Sequence, residues 1–217
     1  MEILQPLSPL WGTRLHAALE LAATLAFALS GVIEAARKRL DVVGVGVVAF
    51  ATAFGGGTLR DLLLDYRPFF WVRETGYLWA VVAVCVFALA FMRQPQLNLT
   101  ERAILWPDAI GLGLFTAVGV DRALAMGQPA VVAVVMGVVT SVFGGVVRDV
   151  LCNEVPRVLS DHRPYALWAF IGGWLHWLLL THLGVAPWLV LTITVVVTAG
   201  LRVLSVYRDW QLPNWRT

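Results

Sequence analysis

Seven apolar stretches of about 20 residues each constrain this sequence more than any other feature. A helix of that length crosses the hydrocarbon core of a bilayer. None of the stretches alternates between apolar and polar residues as the strands of a membrane barrel do. We therefore predict an all-α polytopic membrane protein with seven transmembrane helices, called spans 1 to 7. The spans cover residues 15–36, 42–64, 76–92, 104–125, 130–152, 164–182 and 186–206.

The composition agrees with this class and argues against several others. Of the 217 residues, 59% are hydrophobic and 14% are charged, whereas about 25% are charged in a typical soluble domain. The 16 basic and 14 acidic residues give a net charge of +2, which is no basic patch of the kind that binds nucleic acid, so we expect the lipid bilayer as a partner and no nucleic acid. The sequence has no P-loop, no HExxH motif and no spacing typical of a metal site. We therefore expect no enzyme, no metal ion and no cofactor.

The second half of the chain repeats the first half at a shift of 88 residues. When residues 52–61 are aligned with residues 140–149, five of the ten pairs are identical: one Thr, two Gly, one Arg and one Asp. A register held over so many positions is not a chance match. The same shift pairs Phe27 with Phe115, Gly31 with Gly119, Ala35 with Ala123, Pro68 with Pro156 and Glu20 with Asp108, and one extra residue then aligns residues 78–80 with 167–169.

The repeat also predicts how the two halves lie in the membrane. Each unit contains three spans, and because three is odd, the second unit enters the membrane from the opposite side. This is the inverted repeat found in many transport proteins. We expect a first three-helix repeat over residues 1–92, an inverted second repeat over residues 93–182, and a seventh helix with the C-terminal tail over residues 183–217.

Glycines interrupt spans 2 and 5 at corresponding depths. Each glycine costs about 1 kcal/mol relative to Ala in a helix interior, so consecutive glycines predict a kink or a break. Freed backbone is tolerated in a membrane only where it faces protein or water. We predict a central site where spans 2 and 5 cross, although the glycines could instead only allow close helix packing. The site would comprise Gly55, Gly56, Gly57, Gly144 and Gly145, flanked by Thr52, Thr58, Thr140 and Ser141.

Ionisable residues follow the glycines in both copies. Arg60-Asp61 and Arg148-Asp149 come three residues after them, toward opposite faces of the membrane. Glu20 in span 1 should share the depth of Arg60, and Asp108 in span 4 should share the depth of Arg148. We therefore predict two ion pairs, Glu20 with Arg60 and Asp108 with Arg148. These groups either gate the two mouths of a pathway or hold helices together with the arginines reaching toward the interface.

Three further polar residues receive structural interpretations. Glu34 and Asp121 lie near the ends of spans 1 and 4, where we expect them at the membrane interface. His176 in span 6 is interpreted as a hydrogen-bonded core or interface residue rather than a proton relay, because the histidines of this chain show no spacing typical of ligands.

The basic residues of the loops predict the orientation, because cytoplasmic loops are enriched in Lys and Arg. If the N-terminus is outside, nine basic residues lie on the cytoplasmic side and four lie outside. We therefore predict an outside N-terminus and a cytoplasmic C-terminus. The nine are Arg37, Lys38, Arg39, Arg93, Arg102, Arg157, Arg163, Arg208 and Arg216, and the four are Arg14, Arg67, Arg73 and Arg122.

Several runs are similar to those of a known family. They are Phe-Ala-Leu-Ser-Gly at 27–31, Gly-Gly-Gly-Thr-Leu-Arg-Asp at 55–61, and Gly-Gly-Val-Val-Arg-Asp at 144–149 with Val155-Pro156 after it. The chain resembles the bacterial branch of the trimeric intracellular cation (TRIC) channels, which overlaps the small membrane proteins labelled glycine transporter. The resemblance covers spans 1 to 6.

The resemblance implies more than the residues alone predict. It implies a homotrimer in the bacterial inner membrane, with a separate potassium-conducting pore inside each subunit. Spans 2 and 5, kinked at their glycines, would line that pore, and the permeant potassium ion would be its ligand. A bound lipid is left open. By the motif match, pore and kink roles fall on Gly55, Gly56, Gly57, Gly144 and Gly145, and charged-gate roles on Arg60, Asp61, Arg148 and Asp149.

Two functions fit these features. In the first, the chain is a monovalent cation channel, in which Thr and Ser hydroxyls and freed carbonyls replace part of the water around a potassium ion. In the second, it is a secondary transporter of a small zwitterion such as glycine, bound at the helix breaks. The sequence does not separate them, because both use inverted repeats and broken helices. A scaffold without transport is disfavoured, since mid-membrane charges would cost stability without any gain.

Overall fold

The computed structural model of the chain describes residues 9–91 and 101–213, and the side chains of residues 15–91 and 103–213. Within these ranges every regular element is a helix. In chain order the helices are α1 (Pro9–Arg37), α2 (Val42–Leu63), α3 (Phe70–Arg73), α4 (Gly76–Phe91), α5 (Glu101–Ala125), α6 (Ala130–Leu151), α7 (Arg157–Ser160), α8 (Ala166–Thr181) and α9 (Pro187–Tyr207).

Seven of these helices coincide with the seven predicted spans. Five have segments long and apolar enough to cross a membrane, and they lie in α1, α2, α5, α6 and α9. Helices α4 and α8, at spans 3 and 6, are apolar but have only 16 residues each. The expected boundary between the repeats, at residues 92 and 93, lies outside the described residues, as do Arg93 and Arg216.

Cap and turn residues set the helix ends. The side chain of Asp41 accepts a hydrogen bond from the backbone N–H of Gly44 at 2.7 Å, which satisfies a free donor in the first turn of α2. Gly127 and Gly184 have positive φ angles of 73° and 58° just after α5 and α8, a conformation that glycine adopts without steric cost. Pro187 begins α9, where its missing N–H leaves no intrahelical hydrogen bond unmade.

Helix α5 lies at the centre of the bundle. It packs against α1, α6, α8 and α9, while α2 packs against α1, α4 and α6. Of the five long helices, α5 has the largest buried share. Besides the packing around α5, the core contains the crossing of α2 and α6, the two helices that carry the repeated glycines.

The predicted break at the glycines is wrong, because α2 and α6 each run through them as continuous helices. The two backbones touch there instead. A Cβ on Gly56 would lie 1.9 Å from the carbonyl oxygen of Thr140, and a Cβ on Gly144 would lie 2.4 Å from that of Thr52. The glycines thus permit close packing while each helix keeps its backbone hydrogen bonds. A bend in either helix stays a prediction.

Replacing Gly56 by Ala tests this crossing. The added methyl group would overlap the Thr140 carbonyl, and such overpacking costs about 1–3 kcal/mol. We expect the thermal unfolding midpoint in detergent micelles to fall. Gly46→Ala in the same helix is the matched control, because no described atom lies within 4 Å of its added Cβ, and it should be neutral or stabilising. Equal midpoints for the two variants would contradict the close crossing.

Candidate functional site

Arg60 on α2 lies at the centre of a buried charged cluster. Its side chain is 0% exposed. The Nε atom donates to Asp61 Oδ1 at 2.8 Å, and Nη2 donates to Glu20 Oε1 at 3.1 Å. Arg122 Nη2 contacts the same Glu20 oxygen at 3.4 Å. These four residues, which we call the Arg60 cluster, place two positive and two negative groups together, and this offsets the cost of burying each charge.

Arg148 on α6 forms a second cluster of the same design. Its Nε donates to Asp149 Oδ1 at 2.8 Å, and its Nη1 donates to Asp108 Oδ1 at 2.5 Å and to Ser30 Oγ at 2.6 Å. We call these four residues the Arg148 cluster. The structure thus brings Asp108 to Arg148 as it brings Glu20 to Arg60. A gating role for these contacts stays a prediction.

The aspartate of each Arg-Asp motif also anchors a short helix. Asp61 Oδ2 accepts a hydrogen bond from the backbone N–H of Phe70 at 2.8 Å, and Asp149 Oδ2 accepts one from that of Arg157 at 2.9 Å. Phe70 and Arg157 are the first residues of α3 and α7. Each carboxylate therefore joins an arginine to the segment that follows its membrane helix.

Two aromatic rings fill the bundle beside the crossing. Phe27 on α1 and Phe115 on α5 are fully buried, and their ring centroids are 5.3 Å apart. They are equivalent positions of the repeat. Cβ atoms on Gly144 and Gly111 would approach the Phe27 ring to 2.9 Å and 2.4 Å. The middle of the bundle is therefore closed by ring and backbone packing.

The hydroxyl groups predicted for the site lie near this closed region, bonded within the protein. Those of Thr52 and Thr140 donate to the carbonyl oxygens one turn earlier, at 2.6 and 2.5 Å. Ser141 donates to the carbonyl three residues earlier at 3.2 Å. Thr58 accepts a hydrogen bond from the Trp71 indole at 2.9 Å, so α3 covers it. Each of the three helix-bonded hydroxyls uses its hydrogen in that bond and keeps its oxygen lone pairs as acceptors.

The remaining motif glycines have different neighbours. A Cβ on Gly57 would lie 2.3 Å from the Phe70 ring, so this glycine makes room for α3. Cβ atoms on Gly55 and Gly145 would find their nearest neighbours at 3.7 and 3.5 Å, which are ordinary contacts. The steric need for glycine is therefore strongest at Gly56, Gly57 and Gly144.

One cavity adjoins each cluster. The Glu20 cavity has a volume of about 610 Å³ and is lined by residues of α1, α4, α5, α8 and α9 and of the segment 66–74 around α3, which we call the α3 region. The Glu34 cavity has a volume of about 490 Å³ and is lined by residues of α1, α5, α7 and α9. Glu20 and Arg122 of the Arg60 cluster line the first, and Asp108 of the Arg148 cluster lines the second.

Glu34 is buried in the wall of its cavity, and its expected position at the membrane interface stays a prediction. Its side chain is 1% exposed, and Oε2 accepts hydrogen bonds from Arg37 at 2.9 Å and Arg157 at 2.7 Å. Arg157 lies on α7, which the apolar pattern does not predict. The other oxygen, Oε1, has no hydrogen-bond partner among the described residues. It is an acceptor available to a cation or to water.

Exposed ion pairs stand at the rim of the Glu34 cavity. Lys38 donates to Glu154, which raises the pKa of the Lys38 amine and lowers the pKa of the Glu154 carboxyl. Arg163 donates to Asp209 at 2.7 Å and lowers the pKa of that carboxyl. These contacts tie α1 to the segment after α6, and the chain after α9 to the segment before α8.

Sequence reasoning gave no role to Arg202, which lies inside the seventh span. The structure buries it, with Nη2 donating to Asp161 Oδ2 at 2.9 Å and the guanidinium 4.7 Å from the centre of the Tyr165 ring. The available signal was an arginine within an apolar span, which is costly unless it faces the protein interior. The sequence alone did not indicate its partner, because Asp161 lies in a loop.

A double-mutant cycle tests the Arg148 cluster. Removing one member of a buried pair leaves the other charge uncompensated and costs about 3–5 kcal/mol. We expect Arg148→Ala and Asp108→Ala each to lower the thermal unfolding midpoint strongly, and the double mutant to be milder than their sum. Glu154→Ala at the exposed Lys38 pair is the control and should have little effect. Strict additivity at Arg148 and Asp108 would contradict the pairing.

The chain is similar to known proteins over both halves. The family model described as "Glycine transporter" matches residues 17–93 and again residues 105–181, so the two matches begin 88 residues apart. A UPF0126 membrane protein of Vibrio cholerae is 37% identical over 153 residues, which cover 70% of this chain and 63% of that protein. The UPF0126 inner membrane protein YadS of Escherichia coli is 35% identical over 158 residues, covering 73% of this chain and 75% of that protein.

The similarity extends to solved structures. The TRIC trimeric intracellular cation channel orthologue from Rhodobacter sphaeroides has a TM-score of 0.83 and 34% sequence identity, covering 90% of this chain and 99% of that one. These relatives are membrane proteins and channels rather than enzymes. With a family model matching both halves and this agreement in fold, the chain belongs to the prokaryotic TRIC channel family, whose sequence model is described as glycine transporter.

Proposed function

We propose that this protein is a potassium-permeable monovalent cation channel, with a pore inside each subunit between α2 and α6. The observation that carries the proposal is the matched pair of cavities. Each cavity adjoins one buried arginine cluster, and the crossing of α2 and α6 lies between the clusters. A pathway through the subunit would therefore have two wet mouths and one short constriction.

The architecture proposed for this pathway is an inverted repeat of three helices, with α9 as the seventh crossing. Helices α4 and α8 would serve as the third and sixth crossings. The equivalent contacts of the two halves support the repeat. Arg60 pairs with Glu20 and Arg148 with Asp108, which are equivalent acids, and each Arg-Asp motif anchors a four-residue helix. Opposite insertion of the two units would bring the two clusters to opposite mouths.

A cation entering from the Glu34 cavity would meet oxygen ligands first. Glu34 Oε1 is free of donors among the described residues, and Asp108 lines the same cavity. At the constriction, the hydroxyl oxygens of Thr52, Thr140 and Ser141 would replace part of the hydration shell. Bending at the glycines would let α2 and α6 separate, and the arginines would set the barrier for cations at each mouth.

We further propose a homotrimer in the bacterial inner membrane, with the N-terminus outside and the C-terminus cytoplasmic. The Rhodobacter relative is described as a trimeric cation channel, and the Escherichia relative as an inner membrane protein. In this orientation the Glu20 cavity faces outward and the Glu34 cavity faces the cytoplasm. A lipid bound to the trimer is an open part of the proposal.

A secondary transporter of a small zwitterion such as glycine is the second candidate. Two cavities with a closed region between them also fit alternating access, in which the halves move about a central site. The description of the matching family model points the same way. A transporter requires saturable uptake of substrate, whereas a channel requires a continuous wet path.

Flux in proteoliposomes separates the two functions. Purified protein is compared with empty vesicles for potassium, sodium and labelled glycine in one assay. We expect rapid dissipation of a membrane potential by potassium, without glycine uptake. Saturable glycine accumulation driven by an ion gradient, without conductance, would overturn the channel and support the transporter.

Shortening Phe27 tests the proposed constriction. Phe27→Ala removes a ring that packs against Phe115 in the closed middle of the bundle, so we expect potassium flux to rise several-fold. Phe50→Ala is the matched control, because Phe50 on α2 is 41% exposed and its ring packs on Phe54 and Trp71 rather than on Phe115, and its flux should equal that of the wild type. Unchanged flux in a folded Phe27→Ala protein would place the constriction elsewhere.

A further inference from the structure

Beside the Arg60 cluster lies a second group of ionisable side chains that the ion pathway does not use. His176 on α8 is 1% exposed, and its Nε2 is 2.7 Å from Asp121 Oδ1 on α5. Its Nδ1 is 3.1 Å from the hydroxyl of Thr194 on α9. The other Asp121 oxygen lies 3.6 Å from Nε2 of His16 on α1. One carboxylate is thus shared by two imidazoles, and four helices meet at it.

This group departs from the internal repeat. At a shift of 88, His16 aligns with Ile104 and Asp121 with Ile33. At the shift of 89 that applies after residue 78, His176 aligns with Phe87. The equivalent positions, Ile33 and Phe87 in the first half and Ile104 in the second, are therefore all apolar. Since both halves form the arginine clusters, the shared carboxylate is not a requirement of the fold, and a separate use must explain it.

The group is joined directly to one mouth of the proposed pathway. Asp121 is followed on α5 by Arg122, which contacts Glu20. His16 lies one turn before Glu20 on α1. Two neighbouring residues of α5 therefore contact two residues of α1 that are one turn apart. His16 and Asp121 line the Glu20 cavity, so protons in that cavity reach the carboxylate, with His176 directly behind it.

We propose that His16, Asp121 and His176 form a proton-binding site that controls cation entry from the Glu20 cavity. With both imidazoles neutral the site carries the single negative charge of Asp121. Each proton bound adds one positive charge beside the Arg60 cluster. A protonated His176 also donates from Nδ1 to Thr194, which holds α8 to α9. Acid in this cavity thus makes the mouth less attractive to cations.

Other charged groups face the same space and must be considered with the site. Glu20 lies on α1 and Arg122 on α5, and Arg60 lies behind Glu20 on α2. The α3 region and α4 contribute further titratable groups to the cavity wall. Thr194 is the contact that α9 provides to His176. The titratable groups that the α3 region and α4 contribute to the wall are Tyr66, Arg73, Glu74 and Tyr77.

Proton binding is measured directly by NMR of protein labelled with ¹⁵N in its histidines. The chain has four histidines, and a titration from about pH 8 to pH 5 covers the range in which imidazoles change charge. We expect Asp121→Asn to move the titration midpoints of two imidazoles, His16 and His176. His182→Gln assigns an exposed imidazole outside the group and is the matched control. If Asp121→Asn moves no histidine midpoint, the site is overturned.

Control of cation entry rests on the proposed channel function and has its own test. Potassium flux into proteoliposomes is measured with acid on one side at a time. Acid on the Glu20 side should reduce wild-type flux on the order of threefold, the effect of one charge several ångströms away in water. The reduction should vanish in Asp121→Asn. It should also vanish in His16→Gln, where the replaced side chain is partly exposed, and persist in His182→Gln.

The outcomes separate this inference from the function on which it rests. A pH dependence that persists unchanged in Asp121→Asn would overturn control by this group. A protein without potassium flux at any pH, whose NMR titration still depends on Asp121, would contradict the channel while supporting the proton-binding site.

Discussion

The contact between α2 and α6 is the constraint on which the rest of this structure depends. Gly56 and Gly144 bring the two backbones together, each against the carbonyl of a threonine in the other helix. Because Gly56 and Gly144 are equivalent in the repeat, and Thr52 and Thr140 also are, the contact is reciprocal. A larger residue at either glycine would push the helices apart. The packed rings of Phe27 and Phe115 fill the space beside this contact.

The buried arginines depend on the same crossing. Arg60 and Arg148 come four residues after the contacting glycines, so one turn of helix separates the apolar crossing from each charge. Each guanidinium finds an acid on α1 or α5 and a second acid next to it in sequence. In an apolar environment an arginine without such partners would cost far more than one with them. Paired in this way, the charges can stand beside cavities without breaking the bundle.

The internal repeat made much of this predictable, and its limits explain what was missed. The repeat predicted that Glu20 lies at the depth of Arg60 and Asp108 at the depth of Arg148. The structure brings both pairs into contact. The break at the glycines was wrong because composition cannot distinguish a glycine that weakens a helix from one that admits a neighbouring backbone. The contacts of Glu34 and Asp121 were missed because their partners, Arg157 and His176, lie on other helices. Contacts that depart from the repeat leave no trace in a self-comparison.

Locking α2 to α6 tests most directly whether this crossing must open for ions to pass. A Cβ on Gly55 would lie 3.9 Å from Val147 Cβ, which suits a disulfide. With Cys85 and Cys152 replaced by Ala, Gly55→Cys and Val147→Cys are combined and potassium flux is measured before and after reduction. We predict that the oxidised double variant carries no flux, that reduction restores it, and that each single variant conducts under both conditions. Undiminished flux through the cross-linked protein would contradict a pathway between these helices.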